Sequence, residues 1–120
     1  MSKNPEQKIQ KALIVYLEMH YPKLLRCVSP GAGFRMSPGL GMKMKSMGYQ
    51  KGTPDITILE PCNGYHGLLI ELKAPNGRLS PEQREYLGHA TKKGYKAVVC
   101  WAYDAAVEVI KNYLTNVFEQ

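Results

Sequence analysis

The run Gly67-Leu68-Leu69-Ile70-Glu71-Leu72 constrains the fold of this chain more than any other segment. It is apolar at nearly every position, so it lacks the alternation of a strand with one wet face. Such a run reads as a central strand covered on both sides. Cover on both sides calls for helices packed on a sheet. The run also carries an acid, Glu71, and a buried carboxylate is costly unless it has a partner.

The rest of the chain supplies the expected neighbours. Residues 4–19 form an amphipathic helix, opened by Asn4 as cap, Pro5 and Gln7, with Ile9, Leu13, Tyr16 and Leu17 at helical spacing. Leu24 to Ser29 is a short strand, and Asp55 to Leu59 is another, rich in β-branched residues. Pro61 to Gly64 and Pro75-Asn76-Gly77 are turns. Ser80 to Lys93 is a helix, with Ser80 as cap, Pro81 at its first position, Gln83 three residues on and Gly94 closing it. Lys96 to Trp101 is a further buried strand, and Asp104 caps a last helix that runs to Asn116. A hairpin joined to a β-α-β crossover gives an α/β fold with a mixed sheet flanked by helices. At 120 residues, one domain spanning 1–120 is expected.

Residues 30–53 stand apart. With six glycines and two prolines between Ser29 and Thr53, they read as a long functional loop, with a helical turn or more near Leu40–Met47. The charge is also uneven. No acid lies between Glu18 and Asp55, whereas Lys23, Arg26, Arg35, Lys43, Lys45 and Lys51 do, and these six match the whole net charge of +6. A one-sided basic segment suits a polyanion, since each phosphate contact releases condensed counterions. Arg35, Lys43, Lys45 and Lys51 are the candidate nucleic-acid-binding residues. Met36, Met42, Met44 and Met47 in the same segment suit packing against a neighbour.

Other classes are disfavoured. No apolar run approaches the roughly 20 residues of a membrane span, and MSKNPEQKIQ lacks the apolar stretch of a signal peptide. A cytoplasmic location, in a bacterium or a virus-infected host, is expected. Cys27, Cys62 and Cys100 form no disulfide framework or ligand pair. Cys27 and Cys100 lie in apolar runs and read as buried small hydrophobes. His20, His66 and His89 lack metal-ligand spacing and read as surface or capping residues.

The chemistry concentrates where two strands meet. Asp55 opens one strand of the hairpin and Glu71 ends the other, so antiparallel pairing brings them together across fifteen intervening residues. Lys73 is two residues beyond Glu71 and points to the same side. Two carboxylates form a hard oxygen site for Mg²⁺ or Mn²⁺. Such a metal polarises a phosphoryl oxygen and lowers the pKa of a bound water, and a lysine offsets charge growing on the phosphate. The plainer alternative is a solvated ion pair at a strand end with Asp55 in a turn after Pro54. The upstream Pro-Asp and the intervening turn weigh against it.

Gly52-Thr53-Pro54-Asp55, the run Ile70-Glu71-Leu72-Lys73, and Ala74-Pro75-Asn76-Gly77-Arg78-Leu79-Ser80-Pro81-Glu82-Gln83 together resemble the VRR-NUC family of the PD-(D/E)xK nucleases. The resemblance extends from Glu6 to the last helix. It implies a restriction-endonuclease-like fold, Mg²⁺ or Mn²⁺ dependence and cleavage of DNA. Small stand-alone members look like virus-type proteins that dimerise and cut branched DNA such as four-way (Holliday) junctions.

Carried onto this chain, the resemblance makes Asp55 and Glu71 metal-binding acids and Lys73 the catalytic lysine. It makes the backbone carbonyl of Leu72 a further metal ligand, and Glu6 an acid that helps hold a metal-bound water. Gln83 matches a family glutamine near the active site. The plainer alternative for Glu6 is an acid in a first helical turn, favoured by the helix dipole. Gln83 reads equally as half of a capping box with Ser80. Gly48, Gly52 and Pro54 shape the approach to Asp55.

Two other classes compete with a metal-dependent DNA endonuclease. One is a non-catalytic nucleic-acid-binding module with a vestigial site, but two acids beside a phosphate would repel DNA without a metal. The other is an interaction protein built on the Met-rich segment, which explains neither the acids nor the charge asymmetry. Two symmetrical cuts across a junction need two sites, so a homodimer is expected.

Overall fold

The computed structural model describes residues 4–29 and 37–115. Within them the sheet has the order β1-β2-β3-β4, formed by Arg26–Val28, Ile56–Ile58, Leu68–Leu72 and Lys96–Cys100. β2 runs antiparallel to β1 and to β3, with Ile56 opposite Ile70 and Ile58 opposite Leu68. β3 and β4 are parallel, from Leu68 opposite Lys96 to Leu72 opposite Cys100. Between them crosses α3, Pro81–Lys92. The sheet is therefore mixed, with helices on its faces.

β3 is buried along its whole length, as its composition requires. On one face Leu68, Ile70 and Leu72 meet α1 (Pro5–His20) and α4 (Tyr103–Leu114). Leu13 and Leu17, one turn apart on α1, and Ala106, Ile110, Tyr113 and Leu114 on α4 complete that core. The alternate β3 residues, Leu69 and Glu71, point to the face that carries α3, and Gln83 of α3 bonds to Glu71 there.

Local signals account for the helix starts. The Asn4 side chain accepts from the backbone N–H of Glu6 at 2.9 Å and of Gln7 at 3.2 Å, with Pro5 at the first position. Ser80 caps α3 in a full capping box with Gln83. The turn before β3 is closed by Asn63 and Gly64, with φ of 54° and 83°. Two successive positive φ values are what a tight hairpin turn needs, and Asn-Gly meets them best.

Four readings of the sequence need correction. The helical turn or more expected near Leu40–Met47 is a full nine-residue helix, α2 (Pro38–Ser46), starting two residues earlier and capped by Ser37, so less of the segment is loop. Ser37-Pro38 is the same start signal as Ser80-Pro81, hidden among glycines. α4 begins at Tyr103 after Ala102, and Asp104 lies inside its first turn without capping it. There it faces the positive end of the helix dipole. Cys27 is exposed, because β1 is a three-residue strand at the sheet edge. β4, at the other edge, is half-buried except at Cys100, and Trp101 is exposed.

One glycine is fixed by both torsion and space. Gly52 has φ of 93°, and a Cβ there would press on the Glu82 carbonyl and lie 3.0 Å from the Gln83 nitrogen. The segment before Asp55 is thus seated on the first turn of α3. Gly48 also has a positive φ, 108°, but faces open space. Gly52→Ala is expected to cost about 3 kcal/mol or more, and Gly48→Ala about 1–2 kcal/mol. Denaturant midpoints of the two variants check the order, and equal losses would refute the seating contact.

Candidate active site

Asp55 stands one residue before β2. Carried one step on, the β2–β3 register places it opposite Glu71. It is 6% exposed, and its Oδ2 accepts the backbone N–H of Leu72 at 2.7 Å. That bond also orients Leu72. The N–H and C=O of one strand residue point to the same edge, so the Leu72 carbonyl shares the edge facing Asp55. On the other edge, Lys73 N–H donates to the Cys100 carbonyl at 2.9 Å.

Glu71 is 2% exposed. Its Oε2 accepts from Gln83 Nε2 at 2.9 Å and lies 3.9 Å from Lys73 Nζ. Its Oε1 is buried and has no hydrogen-bond partner. Glu6 reaches the same end of the sheet from α1, where its Oε2 accepts the Ala74 N–H at 3.4 Å. Four segments therefore bring Glu6, Asp55, Glu71, Lys73 and Gln83 together.

Gln83 satisfies both of its sequence readings. Its Oε1 accepts the Ser80 N–H at 2.8 Å, completing the capping box, while its Nε2 holds Glu71. With its oxygen held by the helix cap, the amide presents its nitrogen to Glu71 Oε2 and leaves Oε1 unpaired.

The basic residues are less convergent. Lys43 and Lys45 are exposed on α2, two positions apart and so on different sides of it. Lys51 pairs with Glu82 at 3.8 Å in an exposed ion pair, a contact of small energetic value. Arg35 and Met36 lie outside the described residues. Met42 and Met47 are largely exposed on and just after α2.

The sequence profile of the VRR-NUC domain matches residues 4–103, a span that includes all five clustered residues. The chain belongs to the VRR-NUC domain family. A solved structure titled "VRR_NUC domain protein" is 28% identical, covers 92% of this chain and 88% of its own, and superposes with a TM-score of 0.76. No curated protein sequence matches. The family makes this a nuclease-related domain that acts on nucleic acid. No helix among the described residues is long and apolar enough to cross a membrane.

In this VRR-NUC domain two acids share a buried space with one cation, Lys73, so ionising both is costly without a further positive charge. Burial, and then the Asp55 charge, push the Glu71 carboxyl up to about 8, against the pull of Lys73. Burial raises Asp55 as well, opposed by the Leu72 N–H. A divalent cation would suit this environment, because it offsets excess charge and gives Glu71 Oε1 a partner. Among the described residues no group of three or more His, Cys, Asp or Glu side chains forms a metal cluster. A metal here would rest on two carboxylates and a carbonyl and keep several waters, the habit of Mg²⁺.

Two features went unread in the sequence: the Leu72 N–H as the donor that fixes Asp55, and the seating of Gly52 on the start of α3. The first was recoverable from the hairpin register, the second was not.

A raised carboxyl pKa has a definite effect on stability. Between the ordinary 4.5 of Glu71 and about 8, the folded chain holds a proton that the unfolded chain has lost. Stability therefore falls as pH rises through that window and levels above it. In EDTA the melting temperature is expected to drop from pH 4.5 to about 8, and Glu71→Gln to flatten the drop. A wild-type profile that stays level or rises would refute this account.

Proposed function

We propose that this domain is a Mg²⁺- or Mn²⁺-dependent DNA endonuclease. The observation that carries the proposal is Glu71: a carboxylate buried in the central strand, with one oxygen held by Gln83 and near Lys73, the other unpaired, and Asp55 beside it. Asp55, Glu71 and the Leu72 carbonyl would hold the metal, with Glu6 acting through an intervening water. When bound, the metal would polarise the scissile phosphate and make water a better nucleophile.

The chain's own residues do the rest. The Leu72 N–H holds Asp55 in place. Gln83 fixes the rotamer of Glu71. Lys73 serves to position water or to offset charge growing on the phosphoryl oxygens. Arg35, Lys43, Lys45 and Lys51 would contact phosphates away from the cut. The expected substrate is branched DNA such as a four-way junction, cut by a homodimer that presents two sites.

The decisive test is cleavage of a labelled four-way junction beside a matched linear duplex, with Mn²⁺, Mg²⁺ or EDTA. The wild type is expected to cut the junction only with metal, and Lys73→Ala to lose at least about a hundredfold in rate. Equal cutting of both substrates would remove junction selectivity. Binding without cutting under any metal would make the domain a binding module.

Metal should also stabilise the fold. At a hundred times its Kd, Mg²⁺ or Mn²⁺ adds about 2.7 kcal/mol, seen as a higher melting temperature that Asp55→Ala abolishes. No shift in the wild type would rule out the metal site. Light scattering tests the dimer, with an expected mass twice 13.5 kDa; an active monomer would exclude it.

A further inference from the structure

The α3 face of the sheet holds a cavity of about 400 Å³ that the acids do not use. Its floor is Thr57 and Leu69, which are paired across β2 and β3. Tyr86 of α3 and Tyr95, just before β4, form its aromatic walls, and Gln50, His89 and Lys93 stand at its polar rim. The volume is in the range of small-ligand sites.

The cavity continues the candidate active site. Thr57 lies two residues from Asp55, and Leu69 two from Glu71, so all four side chains share one face of the sheet. The step between the two pairs is roughly 7 Å, which one nucleotide of an extended strand covers. On α3, Tyr86 follows Gln83 at helical spacing, and Gln83 is bonded to Glu71. The two aromatic walls therefore stand one step beyond the acids.

We propose that this cavity receives an unstacked nucleobase of the strand being cut. The proposal rests on the nuclease reading of the acids and adds a requirement: the nucleotide beside the scissile phosphate is unpaired. Aromatic rings take any base by stacking, which is how single strands are held without sequence preference. Among the described residues, the side-chain polar groups of Gln50 and His89 make no hydrogen bond within the chain, so they are free for base edges. Lys93 adds a cation at the mouth. A base stacked inside a duplex could not enter a cavity floored by the sheet, so the pocket selects branch points, flaps and loops over linear duplex.

Photo-cross-linking tests this. A flapped duplex with 5-iododeoxyuridine as its first unpaired nucleotide is irradiated with the wild-type chain in EDTA, and the adducts are mapped. Adducts on Tyr86 or Tyr95 are expected, and pairing the same nucleotide should suppress them. Tyr86→Ala should lower the ratio of flap to duplex kcat/KM about tenfold, and Tyr86→Phe, which keeps the ring, should restore it. The exposed Gln50→Ala variant, which leaves the rings intact, should weaken the adduct as well. Adducts confined to α2, or equal yields from paired and unpaired nucleotides, would overturn the pocket. Loss of the adduct to an equal concentration of free dTMP would make it a mononucleotide site and overturn the strand assignment. The cross-link is read without cutting, so a chain that cuts nothing would refute the nuclease reading and still deliver a result on the pocket.

Discussion

Burying Glu71 is the constraint around which this fold is arranged. β3 lies between β2 and β4 and is covered on both faces, so a carboxylate at its end is left almost wholly out of water. The surrounding elements answer that cost in turn. Lys73 stands near it, Gln83 donates to one oxygen, and Asp55 is drawn into the same space by the Leu72 N–H. The result is electrostatically unbalanced, with two buried acids against one lysine. In a purely structural core such an arrangement would be a defect; crowded acids of this kind are characteristic of functional sites.

Gln83 joins this site to the folding of α3. One side chain closes the helix N-terminus through its oxygen and orients Glu71 through its nitrogen. Gly52 strengthens the link, because the segment leading into Asp55 rests on the backbone of Glu82 and Gln83. The helix start, the entry to β2 and the acid pair are one packed unit. A substitution at Gln83 disturbs both helix capping and carboxylate geometry, so its effect on rate reports the two together.

Much of this was legible in the sequence where pattern and physics coincide. The run from Gly67 to Leu72 could only be a covered strand, and the hairpin arithmetic between Asp55 and Glu71 followed from it. Asn4-Pro5 and Ser80-Pro81 announced their helices. The same signal at Ser37-Pro38 was masked by flanking glycines, and α2 buries no side chain, so no apolar stripe marked it. Cys27 misled because an apolar run looks the same at a sheet edge as at its centre. Gln83 was ambiguous because a sequence does not say which end of an amide is engaged. The cavity beside Tyr86 and Tyr95 left no trace, since its walls meet only through tertiary packing.

The cluster of acids has a consequence for when the chain can act. Glu6 comes from the first helix, Asp55 and Glu71 from two strands of a hairpin, and Gln83 from the crossover helix, and the contact from Glu6 to Ala74 spans 68 positions. The hairpin alone carries Asp55, Glu71 and Lys73, but not Glu6 or the Gln83 amide that holds Glu71. A polypeptide still emerging from the ribosome, or one clipped between its hairpin and α3, lacks the Gln83 amide that orients Glu71. The latency is topological: the full cluster exists only once the first helix, the hairpin and α3 have closed on one another.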